Sequence, residues 1–162
     1  MRVVFCIKNL AGIAGGAEWV LASVANGLSS RGYDVYVLSF DARGQQPFYK
    51  FSSLVHLINL GEHKVGLLSN LTQFLHMKKE IMRLEPDVVF GFLPSTFVAL
   101  SILFWFSKIK FVACEHITRD WYNDRLAKYC LVILAGNLSS HVSFLSEEIA
   151  KDYTLIPQKK KL

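Results

Sequence analysis

Cysteine and proline are scarce in this 162-residue chain, at three and four residues, and each scarcity excludes something. Cys6, Cys114 and Cys130 are odd in number and lack C-x-x-C spacing, so neither a disulfide scaffold nor a zinc knuckle is expected. They read as reduced, buried thiols of a cytoplasmic protein. His56, His63, His76 and His141 show no mutual metal-ligand spacing, so no metal site is expected. There is no internal repeat, no Ser/Gly linker and no nucleic-acid-binding motif to accompany the scattered lysines and arginines. The N-terminal apolar run is about five residues long and Lys8 interrupts it, so no signal peptide is expected.

What is present indicates one folded domain. Hydrophobic residues make up 52% and charged residues 19%, and the length suffices for a single substantial core. The formal net charge of +5 suits phosphate-bearing ligands or an anionic membrane surface without specifying nucleic acid. Val88 to Ser107 carries no charge over a membrane-length stretch, but Gly91 and Pro94 divide it into a strand and a helix. Contact with a membrane through that helix surface stays open.

The chain is organised around Arg2–Glu18. An apolar run, Val3–Ile7, reads as a strand buried on both faces. A loop with Gly12, Gly15 and Gly16 follows, and a helix starts near Ala17. Such a turn brings backbone N–H groups to an anion at a helix N-terminus. The apolar stripe of Ala17, Val20, Leu21, Val24, Ala25 and Leu28 ends at Arg31-Gly32. Strands are then expected over 34–40, 54–60, 88–92, 110–114 and 141–145, with a loop over 42–53. Helices are expected over 67–84, 94–106 and 120–135, the last broken by Gly136-Asn137. On the 67–84 helix Leu67, Leu71, Phe74, Leu75, Ile81 and Leu84 form the apolar side, and Lys78, Lys79, Glu80 and Arg83 a solvated one. Ser146 reads as the cap of a short helix reaching Tyr153, and residues 154–162 trail off.

Strand and helix alternate throughout, so the fold class is α/β: a Rossmann-like, mostly parallel sheet with helices on both faces. Ligands of such sheets bind beyond the carboxyl ends of the strands. The turns at 10–18, Asp41, 92–96, 115–120 and Ser146 therefore hold the candidate site.

Taken together, those turns resemble the N-terminal, acceptor-side domain of a retaining GT-B glycosyltransferase of family 4. The resemblance rests on Gly15-Gly16-Ala17-Glu18, Arg31-Gly32, Pro86-Asp87-Val88-Val89, Glu115-His116 and Phe144 to Glu148, and it covers essentially all 162 residues. It implies polysaccharide-type biosynthesis: a sugar moves from a nucleotide-sugar, used as co-substrate with no other cofactor, to a glycan or lipid-linked acceptor. It also implies that Gly15 and Gly16 approach the donor phosphates and that His116 lines the cleft as the catalytic residue. Glu18, Ser95, Thr96, Thr118 and Arg119 are candidate acceptor contacts, Glu18 being equally explained as a charge at a helix start. The sequence departs from the family in carrying no second glycine-rich loop, no Lys/Arg diphosphate clamp and no Glu-x₇-Glu motif. The expectation is a chain without the donor-binding half, incomplete and inactive alone, located in the cytoplasm or at the inner face of the membrane. Two other readings stay open. One is a dinucleotide-binding oxidoreductase with Asp41 on a ribose, although the loop is not G-x-G-x-x-G. The other is a non-enzymatic interaction module.

Overall fold

The computed structural model describes residues 1–42, 44–61 and 66–162; His63 and Arg43 lie outside them. Among the described residues six strands and five α-helices alternate, as the sequence pattern predicts. They are β1 (Arg2–Cys6), α1 (Gly16–Ser29), β2 (Asp34–Ser39), β3 (Val55–Asn59), α2 (Leu67–Arg83) and β4 (Val88–Phe92). After these come α3 (Pro94–Phe104), β5 (Lys110–Glu115), α4 (Leu126–Leu138), β6 (His141–Phe144) and α5 (Glu147–Asp152). The strands form one sheet in the order β3-β2-β1-β4-β5-β6, with every pairing parallel.

Alternation along each strand divides the interior into two cores. Val3, Phe5 and Ile7 face one core with Ala17, Leu21 and Ala25 of α1. Val4 and Cys6 face the other, beside Met77 and Ile81 of α2, Phe97 and Leu100 of α3, and Val132 and Ala135 of α4. Gly91 lets α3 come down on the sheet: a Cβ there would lie 2.9 Å from the Cβ of Phe97 and 2.8 Å from the Phe111 ring.

Several expectations are corrected. Val24, Leu71 and Leu75 are exposed, so the buried stripes of α1 and α2 are narrower than their apolar residues suggest, and Met77 takes the central α2 position. Lys78 is not simply solvated, since its ammonium donates to the Leu103 carbonyl at 2.7 Å. Helix α3 stops at Phe104, and Ile102, Trp105 and Phe106 are exposed. The expected helix over 120–135 is a 3₁₀ turn at Arg119–Tyr122 followed by α4, which runs through Gly136-Asn137 to Leu138. Gly136 does not break the helix; it makes room for Ile156, whose Cδ1 would lie 2.6 Å from a Cβ.

Residues 154–162 do not trail off. Ile156 is buried, and the Leu162 amide donates to the Val142 carbonyl at 2.8 Å beside β6. Lys160 donates to the Asn137 and Ser139 carbonyls at 2.6 and 2.8 Å, at the C-terminal end of α4. Cys6 and Cys114 are buried as expected, whereas Cys130 is exposed on α4. Among the described residues no helix is long and apolar enough to cross a membrane.

Candidate functional site

In this strand order the chain leaves β1 towards β2 on one side and leaves β4 towards β5 on the other. The carboxyl ends of β1 and β4 therefore flank a switch point, where an open α/β sheet has its crevice. The glycine turn after β1 and the turn after β4 border it, and the His116 turn lies one strand further along the same edge.

The glycine turn is fastened on one side only. Asp41, buried just past β2, accepts hydrogen bonds from the amides of Leu10 at 2.9 Å and Ala11 at 3.2 Å. Gly12 follows at φ +69°, a conformation that favours glycine. Residues 12–14 and Gly16 are then exposed. Gly15 is the cap position of α1 and supplies no side-chain acceptor, so the first-turn amides of the helix lack a side-chain cap. Gly15 has an ordinary extended backbone, and its lack of a side chain serves close approach: a Cβ there would lie 2.0 Å from Oε2 of Glu18. Glu18 is only 6% exposed, and its carboxylate folds back over the glycine.

After β4 the chain turns at Leu93, whose φ of +65° is strained for a branched residue and costs on the order of 1–3 kcal/mol. Its amide donates to the Cys114 carbonyl at 3.2 Å, tying this turn to β5. Ser95 is exposed at the start of α3. Thr96 is corrected as an acceptor contact. It is fully buried with its hydroxyl unpartnered, so it does not reach the cleft surface.

After β5, His116 is half-buried and stacks on Phe92 with ring centroids 5.0 Å apart. Burial lowers its pKa and so favours the neutral ring, with Nδ1 enclosed and unpartnered. Glu115 next to it is fully buried and holds the turn, accepting from the Ile117 amide at 2.8 Å and the Tyr122 hydroxyl at 3.0 Å. Burial pushes its carboxyl up to about 7. The Tyr153 hydroxyl closes the turn from outside, donating to the Ile117 carbonyl at 2.8 Å. Thr118 is exposed. Arg119 is exposed too, but its guanidinium lies 5.1 Å over the Tyr129 ring, on the α4 side of the turn.

Sequence reasoning overlooked three features here. These are the Glu115–Tyr122–Tyr153 cluster, the strain at Leu93, and a cavity of about 390 Å³ whose walls include Leu93, Val98, Ile117, Trp121 and Leu131. A carboxylate following the apolar run Phe111–Cys114 was the visible signal for the first. Asp41 also bears on the oxidoreductase reading, because its oxygens already hold the Leu10 and Ala11 amides rather than facing outward.

A parallel sheet of this order, with a glycine turn and an uncapped helix at its switch point, is a Rossmann-like half-fold. The chain belongs to Glycosyltransferase Family 4, whose model matches residues 14–160. It is 26% identical over 149 residues to an uncharacterized glycosyltransferase of Haemophilus influenzae, covering 90% of this chain and 41% of that protein. Among solved structures it resembles Anabaena HepE in complex with UDP and glucose, at a TM-score of 0.70 and 15% identity, covering 100% of this chain and 43% of that one. It also resembles sucrose-phosphate synthase from Thermosynechococcus elongatus, at a TM-score of 0.74 and 9% identity, covering 99% and 47%. At these identities the structural likeness establishes the fold. The chain spans less than half the length of these relatives.

Proposed function

We propose that this domain forms the acceptor-side wall of a glycosyltransferase cleft, in which a sugar passes from a nucleotide-sugar to a glycan or lipid-linked acceptor. The observation that carries the reading is the uncapped N-terminus of α1 behind Gly15 and Gly16 at the switch point, in a chain of this family. Breaking a glycosyl–phosphate bond puts negative charge on the departing phosphate, and fixed amide dipoles stabilise it without reorganising. In this reading the Gly16–Glu18 amides face the donor phosphates. Neutral His116 donates one N–H to a sugar hydroxyl or phosphate oxygen. Ser95 and Thr118 hold acceptor hydroxyls; Glu18 serves only if its buried carboxylate swings off Gly15, and Arg119 only if it leaves Tyr129. HepE, which has this fold, was crystallised with UDP and glucose, and that supports a nucleotide-sugar as the donor class. Buried thiols at Cys6 and Cys114 suit a cytoplasmic location.

The test is amide chemical-shift mapping during titration with UDP-glucose and GDP-mannose. Shifts confined to the turns after β1, β4 and β5 are expected, with weak affinity because the domain offers one wall. Shifts centred on Asp41 with NADH, and none with either sugar nucleotide, would overturn the reading in favour of an oxidoreductase.

A further inference from the structure

The cavity beside the His116 turn has a wall chemistry that the proposed function leaves unused. Leu93, Val98, Ile117, Trp121 and Leu131 make it apolar, and its volume of about 390 Å³ is that of a small-molecule site. The polar groups around it are mostly committed elsewhere. The Tyr122 hydroxyl donates to Glu115. The Ile117 amide and carbonyl are bonded to Glu115 and Tyr153. The Leu93 amide donates to Cys114, and its carbonyl accepts from Thr96 and Phe97. Ser95, Lys128 and the indole N–H of Trp121 are the lining side-chain groups left to meet a polar ligand. A sugar buried here would leave several hydroxyls unpaired, each with its desolvation uncompensated. An alkyl chain would leave none.

Lys128 lines the cavity, its ammonium 5.2 Å from the Trp121 ring centroid. Arg125 lies outside the lining, 4.0 Å over the same ring and donating to the Trp121 carbonyl at 2.8 Å, on a loop that also carries Asp120 and Asp124. The cavity is also continuous with the candidate site, because Leu93, Ser95 and Ile117 belong to both.

We propose that this cavity receives the alkyl or prenyl chain of an acceptor whose anionic head, a phosphate, sits at Lys128 on the cavity wall beside the His116 turn. This rests on the transferase reading for the word acceptor, but binding of the chain itself does not require transfer.

The experiment uses the protein with Trp19→Phe and Trp105→Phe, so that Trp121 is the only tryptophan. Hexyl, octyl and decyl phosphate, each below its micelle concentration, are titrated while Trp121 emission is followed. A saturable blue shift is expected. Affinity should rise about fourfold per added methylene and then level off once the cavity is full. Inorganic phosphate and glucose should leave the emission unchanged. Val98→Phe fills the cavity and should weaken decyl phosphate at least tenfold; Leu131→Asp, at an exposed wall position, does the same if the first variant fails to fold. Lys128→Ala should weaken decyl phosphate several-fold and leave decanol unaffected.

Affinity that climbs with chain length without limit and ignores both wall variants would mean adsorption to exposed apolar surface, and would overturn the proposal. So would light scattering that shows a dimer in which Trp121 is already shielded, since a second copy would then be the occupant. Chain binding together with NADH shifts centred on Asp41, and none from either sugar nucleotide, would sink the transferase reading and leave the cavity as a lipid-chain site. The opposite pair of results would sink the cavity alone.

Discussion

Two adjacent glycines at the start of α1 do different jobs. A methyl at Gly15 would meet the Glu18 carboxylate, whereas a Cβ at Gly16 meets nothing within 4 Å. Gly16→Ala should therefore keep the fold and gain about 0.5–1 kcal/mol from reduced unfolded-chain entropy. Gly15→Ala must expel the Glu18 side chain, so its effect on urea stability should vanish, within about 0.5 kcal/mol, when Glu18 is already Ala. If the two substitutions add in that double-mutant cycle, Glu18 does not rest on Gly15. Glu115 and His116 are neighbours whose burial acts on stability in opposite senses. Glu115 is raised from 4.5 to about 7, so the folded chain holds that proton more tightly than the unfolded one. Its favourable contribution is complete below about pH 4.5 and is lost as pH rises to about 7. His116 is lowered, so its contribution is present above its ordinary value of 6.5 and is lost as pH falls below it. Glu115→Gln removes only the first. Relative to wild type, its stability in urea should rise by up to about 3 kcal/mol between pH 5 and pH 8. A constant difference across that range would show that the carboxyl titrates normally. The sequence marked Glu115-His116 as a pair but carried no sign that Tyr122 and Tyr153, seven and 38 positions further on, would close over the carboxylate.

At the scale of elements, legibility followed the kind of signal each segment carried. Strands β1, β2, β4 and β5 are short apolar runs bounded by turns, and their positions are readable because a strand covered on both faces needs no polar side. The Ser146 cap of α5 was equally plain, and its hydroxyl accepts from the Ile149 amide at 3.3 Å. Helix α4 was misread because Gly136-Asn137 looks like a stop signal, and only the packing of Ile156 explains a glycine inside a helix. The true end is made by a distant residue, Lys160, whose ammonium meets the carbonyls of Asn137 and Ser139. A cation there satisfies helix-end carbonyls and complements the dipole. Lys160→Ala should accordingly lower stability by about 1–2 kcal/mol in urea unfolding. Lys159→Ala, removing an exposed neighbour in the same basic run, should stay within about 0.5 kcal/mol. Equal losses in the two would mean that the run acts through overall charge rather than through the helix end.

Across the whole molecule, the alternating pattern was enough to predict a parallel Rossmann-like sheet, and the carboxyl-edge rule placed the site turns on one rim. What it could not supply was the long-range closure made by the last residues. Tyr153 bonds to the Ile117 carbonyl, Ile156 fills the notch over Gly136, Lys161 donates to the Ala150 carbonyl at 2.6 Å, and Leu162 pairs beside β6. These contacts join residues separated by up to 36 positions, and local propensity carries no trace of them. They also tie the tail to the candidate site, because Tyr153 holds the outer side of the turn on which His116 sits. Deleting residues 154–162 removes one buried isoleucine and the Lys160 and Lys161 contacts, on the order of 3–5 kcal/mol together. For a chain of this size that corresponds to a fall in melting temperature of roughly 10 °C, with the far-ultraviolet signal of the sheet retained below the transition. The loss should reach the site as well. With Tyr153 no longer pinned by the segment after it, His116 becomes better hydrated, and its NMR-detected pKa moves up towards the ordinary value of about 6.5. A lowered melting temperature with an unchanged His116 titration would confine the tail to the β6 edge and detach it from the cleft.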